Sequence, residues 1–269
     1  MRIINRIDNS YDSLAKQYPD ENIVILNDIS AIMDDKHEGS VAWLNESPDI
    51  LESFWNSEKS FFDSMCEHLS NPKRKFTKLY THDKRYAYHS DVKIVQPATP
   101  SWVEKENRFV HEKSKDLTFI TSTKKYTPTQ VKRVTLAQKL INLGVPVYGR
   151  GTGNPIDSKG LTLKPYRFCF AIENGKFAGY HSEKVLDCFL TGTVPIYYGD
   201  PDIGDLFDTS GMIIIDQKFD FEKTLKTLTP ERYEDMLEGV HKNFEVAMNY
   251  TNTAQDVMKI ILEDYEQND

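Results

Sequence analysis

Glu173-Asn174, Tyr180 and Ser182-Glu183-Lys184 gather polar side chains into one short stretch between two apolar runs. Their types suit an oxygen-rich anionic ligand. Lys184 supplies a cation, Asn174 and Tyr180 can donate hydrogen bonds to phosphate or sugar oxygens, and Glu183 can only accept, which suits hydroxyls. The run 166–172, YRFCFAI, is β-branched and aromatic enough for a buried strand, and Glu173, Asn174 and Gly175 end it with turn chemistry. Ser182 can cap a helix over 183–191, whose apolar face holds Val185, Leu186, Phe189 and Leu190, and Gly192 stops it. Val194 to Tyr198 is a second apolar run ending in Gly199. The stretch therefore reads as one βαβ unit of a parallel sheet, with an open helix N-terminus that favours a phosphate. Taken singly, Glu183 and Lys184 are solvated charges in a first helical turn, where a Glu favours the dipole whatever the function. Their order along the chain carries the stronger reading.

That order resembles the donor-binding motif of the α-1,3-fucosyltransferase family, glycosyltransferase family 10: a strand, Glu173-Asn174, a loop with Tyr180, Ser182-Glu183-Lys184 opening a helix, then Val194-Pro195-Ile196-Tyr197-Tyr198-Gly199. Ser182 stands where the family usually has Thr. Upstream, Ser122-Thr123-Lys124-Lys125 and Lys132-Arg133 resemble the family's Ser-x-Lys stretch and the Arg that starts the first helix of its donor domain. The segment 43–48, WLNESP, resembles an N-terminal element in which the family places a carboxylate proposed as catalytic base. The resemblance covers 118–216 well and 1–117 only through that element.

The resemblance implies an inverting, metal-independent transfer of fucose from GDP-fucose to a glycan hydroxyl, with no cofactor beyond the nucleotide-sugar substrate. Arg133, Asn174, Tyr180, Glu183 and Lys184 would bind the donor, and Glu46 would be the base. Asp49 and Glu52 match that last role less well. Arg133, Lys184 and the N–H groups opening the 183–191 helix would stabilise the diphosphate leaving group. The implied fold is α/β of GT-B type, with two Rossmann-like domains facing across a cleft.

Composition agrees with a globular α/β protein. The chain has 269 residues, 39% of them hydrophobic, with 14 Tyr, 14 Phe and 3 Trp. A net charge of −8 argues against broad nucleic-acid binding, which needs a basic face. A DNA-base acceptor is disfavoured on that ground. No apolar run approaches the ~18 residues of a membrane span, and the N-terminus lacks a signal-peptide core. Animal and plant members of the family are anchored in the Golgi, so the expectation here is a cytoplasmic protein of bacterial or viral origin. Cys66, Cys169 and Cys188 form no CxxC pair and read as free buried thiols.

These residues must be positioned by two α/β arrays. Strands are expected at 2–5, 22–27, 41–44, 76–82 and 92–96, with helices at 48–57 and 59–69. Beyond a proline-bearing linker at 97–116 come a strand from 117, a helix over 128–142, a strand at 145–148, a loop over 149–160 and the βαβ unit. A short helix near 201–207, a strand at 212–216 and helices at 220–228, 230–249 and 252–265 complete the chain. The expected domains are 1–115 for the acceptor and 116–250 for the nucleotide sugar, with 251–269 packing back toward the first.

Three competing signals are weaker. Gly149-Arg150-Gly151-Thr152-Gly153 suggests a dinucleotide loop but lacks the second glycine spacing and the following apolar helix. Gly149, Gly151 and Lys124 instead suit loops that approach the donor. Asp200-Pro201-Asp202 has the form of a Mg²⁺ ligand pair but reads as turn and cap positions, so no metal site is assigned. His181 could touch the sugar or be a local loop histidine. A different nucleotide sugar, or a binding module without catalysis, would use the same cluster.

Overall fold

The computed structural model describes residues 1–4, 12–19, 21–34 and 37–267; Asn5, at the end of the first expected strand, lies outside them. In chain order the strands are β1 (Arg2–Ile4), β2 (Val24–Leu26), β3 (Val41–Leu44), β4 (Lys78–Thr81), β5 (Val92–Ile94), β6 (Lys115–Ile120), β7 (Val147–Tyr148), β8 (Tyr166–Ile172), β9 (Val194–Tyr198) and β10 (Ile213–Ile214). The α-helices are α1 (Asp12–Ala15), α2 (Ile29–Met33), α3 (Pro48–Phe54), α4 (Phe61–Leu69), α5 (Pro128–Asn142), α6 (Lys159–Leu163), α7 (Glu183–Leu190), α8 (Phe221–Lys226), α9 (Pro230–Asp235), α10 (Leu237–Met248) and α11 (Thr253–Glu266).

Two compact units result, one from residues 1–98 with 253–269, the other from 99–252. The division falls at 98/99 and 252/253, not at 115/116 and 250/251. Residues 99–115 belong with the second unit because Ser101, Phe109 and Lys113 all hydrogen-bond into α7 or its C-terminal turn.

The first unit holds a parallel sheet in the order β1-β2-β3-β4-β5. Right-handed crossovers that step the same way put the connections from β2 to β5 on one face. Accordingly α2, α3 and α4 pack together against Leu26, Ala42, Leu44 and Leu79. The opposite face carries Ile25, Val41, Trp43 and Tyr80, and α11 covers it with Val257, Met258, Ile261 and Leu262, joined by Leu14 of α1. Asp264 fastens the far end of α11, accepting from Lys78 Nζ at 2.6 Å, Tyr80 Oη at 2.5 Å and Lys93 Nζ at 3.1 Å. Burial would raise the Asp264 carboxyl, but these donors hold it down at about 2.

The second unit has strand order β10-β9-β8-β6-β7, all parallel. The chain starts in the interior at β6, moves outward to β7, then returns across β6 to β8 and continues the other way. That reversal makes the carboxyl ends of β6 and β8 a topological switch point, where open α/β sheets bind ligands. Alternation along β8 separates its faces: Phe168, Phe170 and Ile172 pack with α5 and α9, while Cys169 and Ala171 pack with α7. All three cysteines are free, Cys169 and Cys188 buried and Cys66 half-buried.

Sequence periodicity located β8, β9 and α5 at their observed bounds. It missed α2 and α6, which are too short to show a period, and it read α9 and α10 as one helix. The break falls at Met236, where α9 ends and Val240 N bonds back to Met236 O.

Lys113 is buried at the amino ends of the strands, where Nζ donates to Lys164 O, Thr191 O and Thr193 Oγ1 at 3.1, 2.7 and 3.0 Å. Burial lowers its ammonium to about 7, against a small opposing influence of Cys188 and Cys169. An unfolded lysine keeps its proton to about pH 10, so between about 7 and 10 the unfolded state binds more protons and this group's contribution to stability rises with pH. Urea unfolding of Lys113→Met should therefore lose a stability slope of up to about 1.4 kcal/mol per pH unit across that window. A separate expectation concerns α11: Ile261→Ala should cost about 2 to 5 kcal/mol in urea unfolding, because the side chain is fully buried against the sheet.

Candidate donor-binding site

The pleat at the end of β8 decides where each motif residue goes. Ile172 faces α5, so the next residue, Glu173, turns to the α7 side and Asn174 back to the α5 side. Glu173 is fully buried, and its carboxylate accepts from Ser182 N at 2.9 Å, Ser182 Oγ at 2.6 Å and Lys184 Nζ at 3.4 Å. It thereby fixes the N-cap of α7 from below. Ser182 in turn accepts from Lys184 N at 3.4 Å and from Lys184 Nζ at 2.9 Å. Lys184 also pairs with Glu183 Oε1 at 3.3 Å. Burial would raise the Glu183 carboxyl, yet Lys184 and then Lys159 outweigh it and hold it at about 2. Glu183 is an acceptor throughout the physiological range.

On the other side, Arg133 from α5 is 5% exposed and donates from Nη1 to Asn174 Oδ1 at 3.1 Å and to Ile172 O at 3.3 Å. Gln130, one turn earlier, donates to the same Asn174 oxygen at 3.3 Å, and Thr127 Oγ1, the N-cap of α5, donates to Asn174 O at 3.1 Å. Asn174 is thus anchored through its acceptors. Burial lowers the Arg133 guanidinium below the ordinary arginine value, while Glu173, Glu183 and Tyr180 pull the other way, so all three lie around it. Among the described residues no carboxylate makes an ion pair with Arg133, and its buried Nε–H has no hydrogen-bond acceptor. A buried, unpaired cation is costly unless an anion completes it.

Arg133, Asn174, Tyr180, Glu183 and Lys184 therefore share the carboxyl edge of β8. Tyr180 is 3% exposed. Lys124 is exposed on the loop after β6, the neighbouring strand, and Gly149 and Gly151 lie on the loop after β7. Gly149 has φ of 121°, and a Cβ there would sit 1.9 Å from Thr121 O. Thr123 N bonds Arg150 O at 3.2 Å, so the two loops run together at the switch point. No helix opens directly after these glycines; α6 starts at Lys159, which removes the dinucleotide geometry.

Asp200 Oδ1 accepts from Gly179 N at 3.0 Å and Asp202 N at 2.9 Å, which is turn chemistry that also pins the loop bearing Tyr180. His181 is 2% exposed and packs edge-on against Phe207 and Tyr250, as a core histidine does.

In the first unit, Glu46 is exposed on the turn between β3 and α3. That turn is clamped: Asn45 donates to Ala98 O at 3.0 Å and accepts from Ala98 N at 2.8 Å, while Ser47 O receives Ile50 N and Leu51 N. Glu52 is committed elsewhere, since Oε2 accepts Phe61 N at 2.8 Å and caps α4. Burial raises the Asp49 carboxyl, with Arg85 opposing. Glu173 is the residue that sequence reasoning passed over as turn chemistry; its signal was a carboxylate at the end of an otherwise wholly apolar strand.

The architecture is that of GT-B glycosyltransferases. A solved α1,3-fucosyltransferase superposes with a TM-score of 0.55 over 95% of this chain and 88% of its own, at 15% identity. The GtfA/B complex does so with 0.52 over 95% of this chain and 60% of that one, at 12% identity. Residues 110–252 match glycosyltransferase family 10 (fucosyltransferase), C-terminal part, and the chain belongs to that family. A segment of 118 residues, 40% of this chain, is 29% identical to the alpha-(1,3)-fucosyltransferase FucT of Helicobacter pylori, and it spans 22% of that protein's length. Among the described residues, no helix is long and apolar enough to cross a membrane.

Glu173→Gln should lower stability by about 3 kcal/mol, because it removes a buried charge that accepts three hydrogen bonds and leaves Lys184 with Glu183 as its one carboxylate. A thermal unfolding midpoint equal to wild type would show that α7 is capped without it.

Proposed function

We propose that this protein transfers fucose from GDP-fucose to a glycan hydroxyl, with inversion at the anomeric carbon and without a bound metal. The observation that carries the reading is Arg133, a buried cation at the switch point with an unsatisfied N–H and no carboxylate partner among the described residues. A diphosphate supplies the missing anion. Lys184 and the first N–H groups of α7 add positive potential at the same edge. As the glycosidic bond breaks, charge accumulates on the β-phosphate, and fixed cations stabilise that charge more than the ground state. Glu183, ionised, accepts from ribose or sugar hydroxyls, and Asn174 and Tyr180 donate to phosphate or sugar oxygens.

Glu46 is proposed as the base that takes the acceptor hydroxyl's proton. Its exposure on a clamped turn at the carboxyl edge of β3 supports this choice over Glu52, whose carboxylate caps a helix. GDP-fucose is preferred to another nucleotide sugar on family membership alone.

The reading separates into binding and chemistry. Calorimetry with GDP should show Arg133→Met weakened by about 10- to 100-fold, the loss of a charge-assisted contact, with an unfolding midpoint no lower than wild type because the unpaired charge is also gone. In transfer assays Glu46→Gln should keep GDP affinity and lose about 10² to 10⁴ in kcat. Wild-type indifference to GDP, or full activity of Glu46→Gln, would overturn the corresponding half.

A further inference from the structure

We infer that Arg150 and Tyr126 form the nucleobase subsite of the donor site, with Arg150 reading the O6 and N7 acceptors of a guanine and Tyr126 supporting its ring. This deepens the donor-site reading above and rests on it. Arg150 lies in the loop 149–154, GRGTGN, at the carboxyl end of β7. The loop is closed on itself: Gly149 N donates to Asn154 O at 2.8 Å, Thr152 Oγ1 to Gly149 O at 2.8 Å, and Asn154 Nδ2 to Val147 O at 2.9 Å. It is also pressed onto the loop after β6. Thr121 N and Thr123 N donate to Tyr148 O and Arg150 O at 2.9 and 3.2 Å, and a Cβ on Gly151, whose φ is 82°, would collide with Thr123 Oγ1. The glycines, Thr152 and Asn154 are thus spent on holding the loop. Arg150 is the long side chain it presents: it is exposed, and among the described residues its guanidinium has no ion-pair or hydrogen-bond partner. A fixed backbone carrying an unspent guanidinium is a preorganised fork for a planar pair of acceptors.

Phosphates, carboxylates and the O6/N7 edge of guanine all offer such a pair, and position decides among them. Arg133, Lys184 and the start of α7 hold the diphosphate at the carboxyl end of β8, whereas Arg150 follows β7, two strand spacings or about 10 Å away across β6. A nucleoside spans that gap; the second phosphate of the same diphosphate does not. The opposite direction, toward β9, leads to Asp200 and Asp202, carboxylates that only accept, as O6 and N7 do. Tyr126 stands on the loop after β6, the strand in between. Its N–H donates to Gln130 Oε1 at 2.7 Å, and its neighbour Thr127 is tied to Asn174 O at 3.1 Å, so the backbone carrying the ring is fixed to the diphosphate site. The ring itself is 54% exposed. An aromatic face stacks on any base. A guanidinium discriminates, because adenine presents a donor at N6 where guanine has the O6 acceptor.

Affinity and choice of base are therefore divided between two residues, and calorimetry with GDP, 7-deaza-GDP and ADP separates them. Wild type should prefer GDP to either of the others by at least about fivefold. The Arg150 side chain carries none of the loop's hydrogen bonds, so Arg150→Gln should unfold at the wild-type midpoint. In that variant GDP should bind about tenfold more weakly, the gap between GDP and 7-deaza-GDP should close, and ADP should bind no worse than to wild type, because glutamine suits the N6 and N7 of adenine. Tyr126→Ala should weaken all three nucleotides alike, by about tenfold, and Tyr126→Phe should weaken none.

An unchanged ratio of GDP to ADP affinity in R150Q, or equal affinity of wild type for GDP and 7-deaza-GDP, would overturn the assignment of Arg150. Undiminished affinity in Y126A would remove that ring from the subsite. If wild type binds all three nucleotides alike, the diphosphate site stands and the nucleobase subsite falls; if it binds none, the donor reading falls and takes the subsite with it.

Discussion

A pleated strand sends adjacent side chains to opposite faces, and the site in the second unit depends on this constraint at one point. At the carboxyl end of β8 it delivers Glu173 to α7 and Asn174 to α5. The carboxylate captures Ser182 and sets the start of one helix; the amide captures Arg133 and sets the orientation of a guanidinium from the other. Two helices on opposite faces of a sheet are thus registered to each other through consecutive residues. A slip of one position would send the carboxylate to Arg133 and pair the cation that the site leaves unpaired.

Charge is distributed along the same line. Glu173 is satisfied by hydrogen bonds and by Lys184, Asp187 by hydrogen bonds and Lys159, and Glu183 by its two neighbouring cations. Anions in this region are therefore compensated inside the fold, whereas Arg133 is held by a carbonyl and an amide only. Both acceptors are neutral, so the guanidinium is oriented without being neutralised. An acidic protein of net charge −8 can in this way present a positive site to an anionic donor.

The first unit obeys a different constraint. Its strands run in sequential order, so α2, α3 and α4 cover one face of the sheet, and α11 from the far end of the chain, with Leu14 of α1, covers the other. Cooperative folding of this unit needs residues separated by nearly the whole sequence. The turn carrying Glu46 is held by Asn45 and Ala98 within the same unit, which keeps that carboxylate on a rigid support.

Much of this was legible in the residues themselves. Tyr166–Ile172, Val194–Tyr198 and Pro128–Asn142 declared themselves through apolar runs, a Thr127 cap and glycine stops, because those signals are local. The order Glu173, Asn174, Tyr180, Ser182, Glu183, Lys184 pointed to a ligand edge for the same reason: side-chain chemistry and its position relative to a strand end are written in the sequence. Short elements such as α6 were not legible, since five residues carry no measurable period. What only the tertiary structure decided was partnership across distance. That Glu173 is an internal anchor, that Arg133 meets Asn174 and no carboxylate, that Glu52 caps a helix, and that Lys159 reaches Asp187 all follow from strand order and pleat, which bring together residues whose separation along the chain carries no trace of their contact.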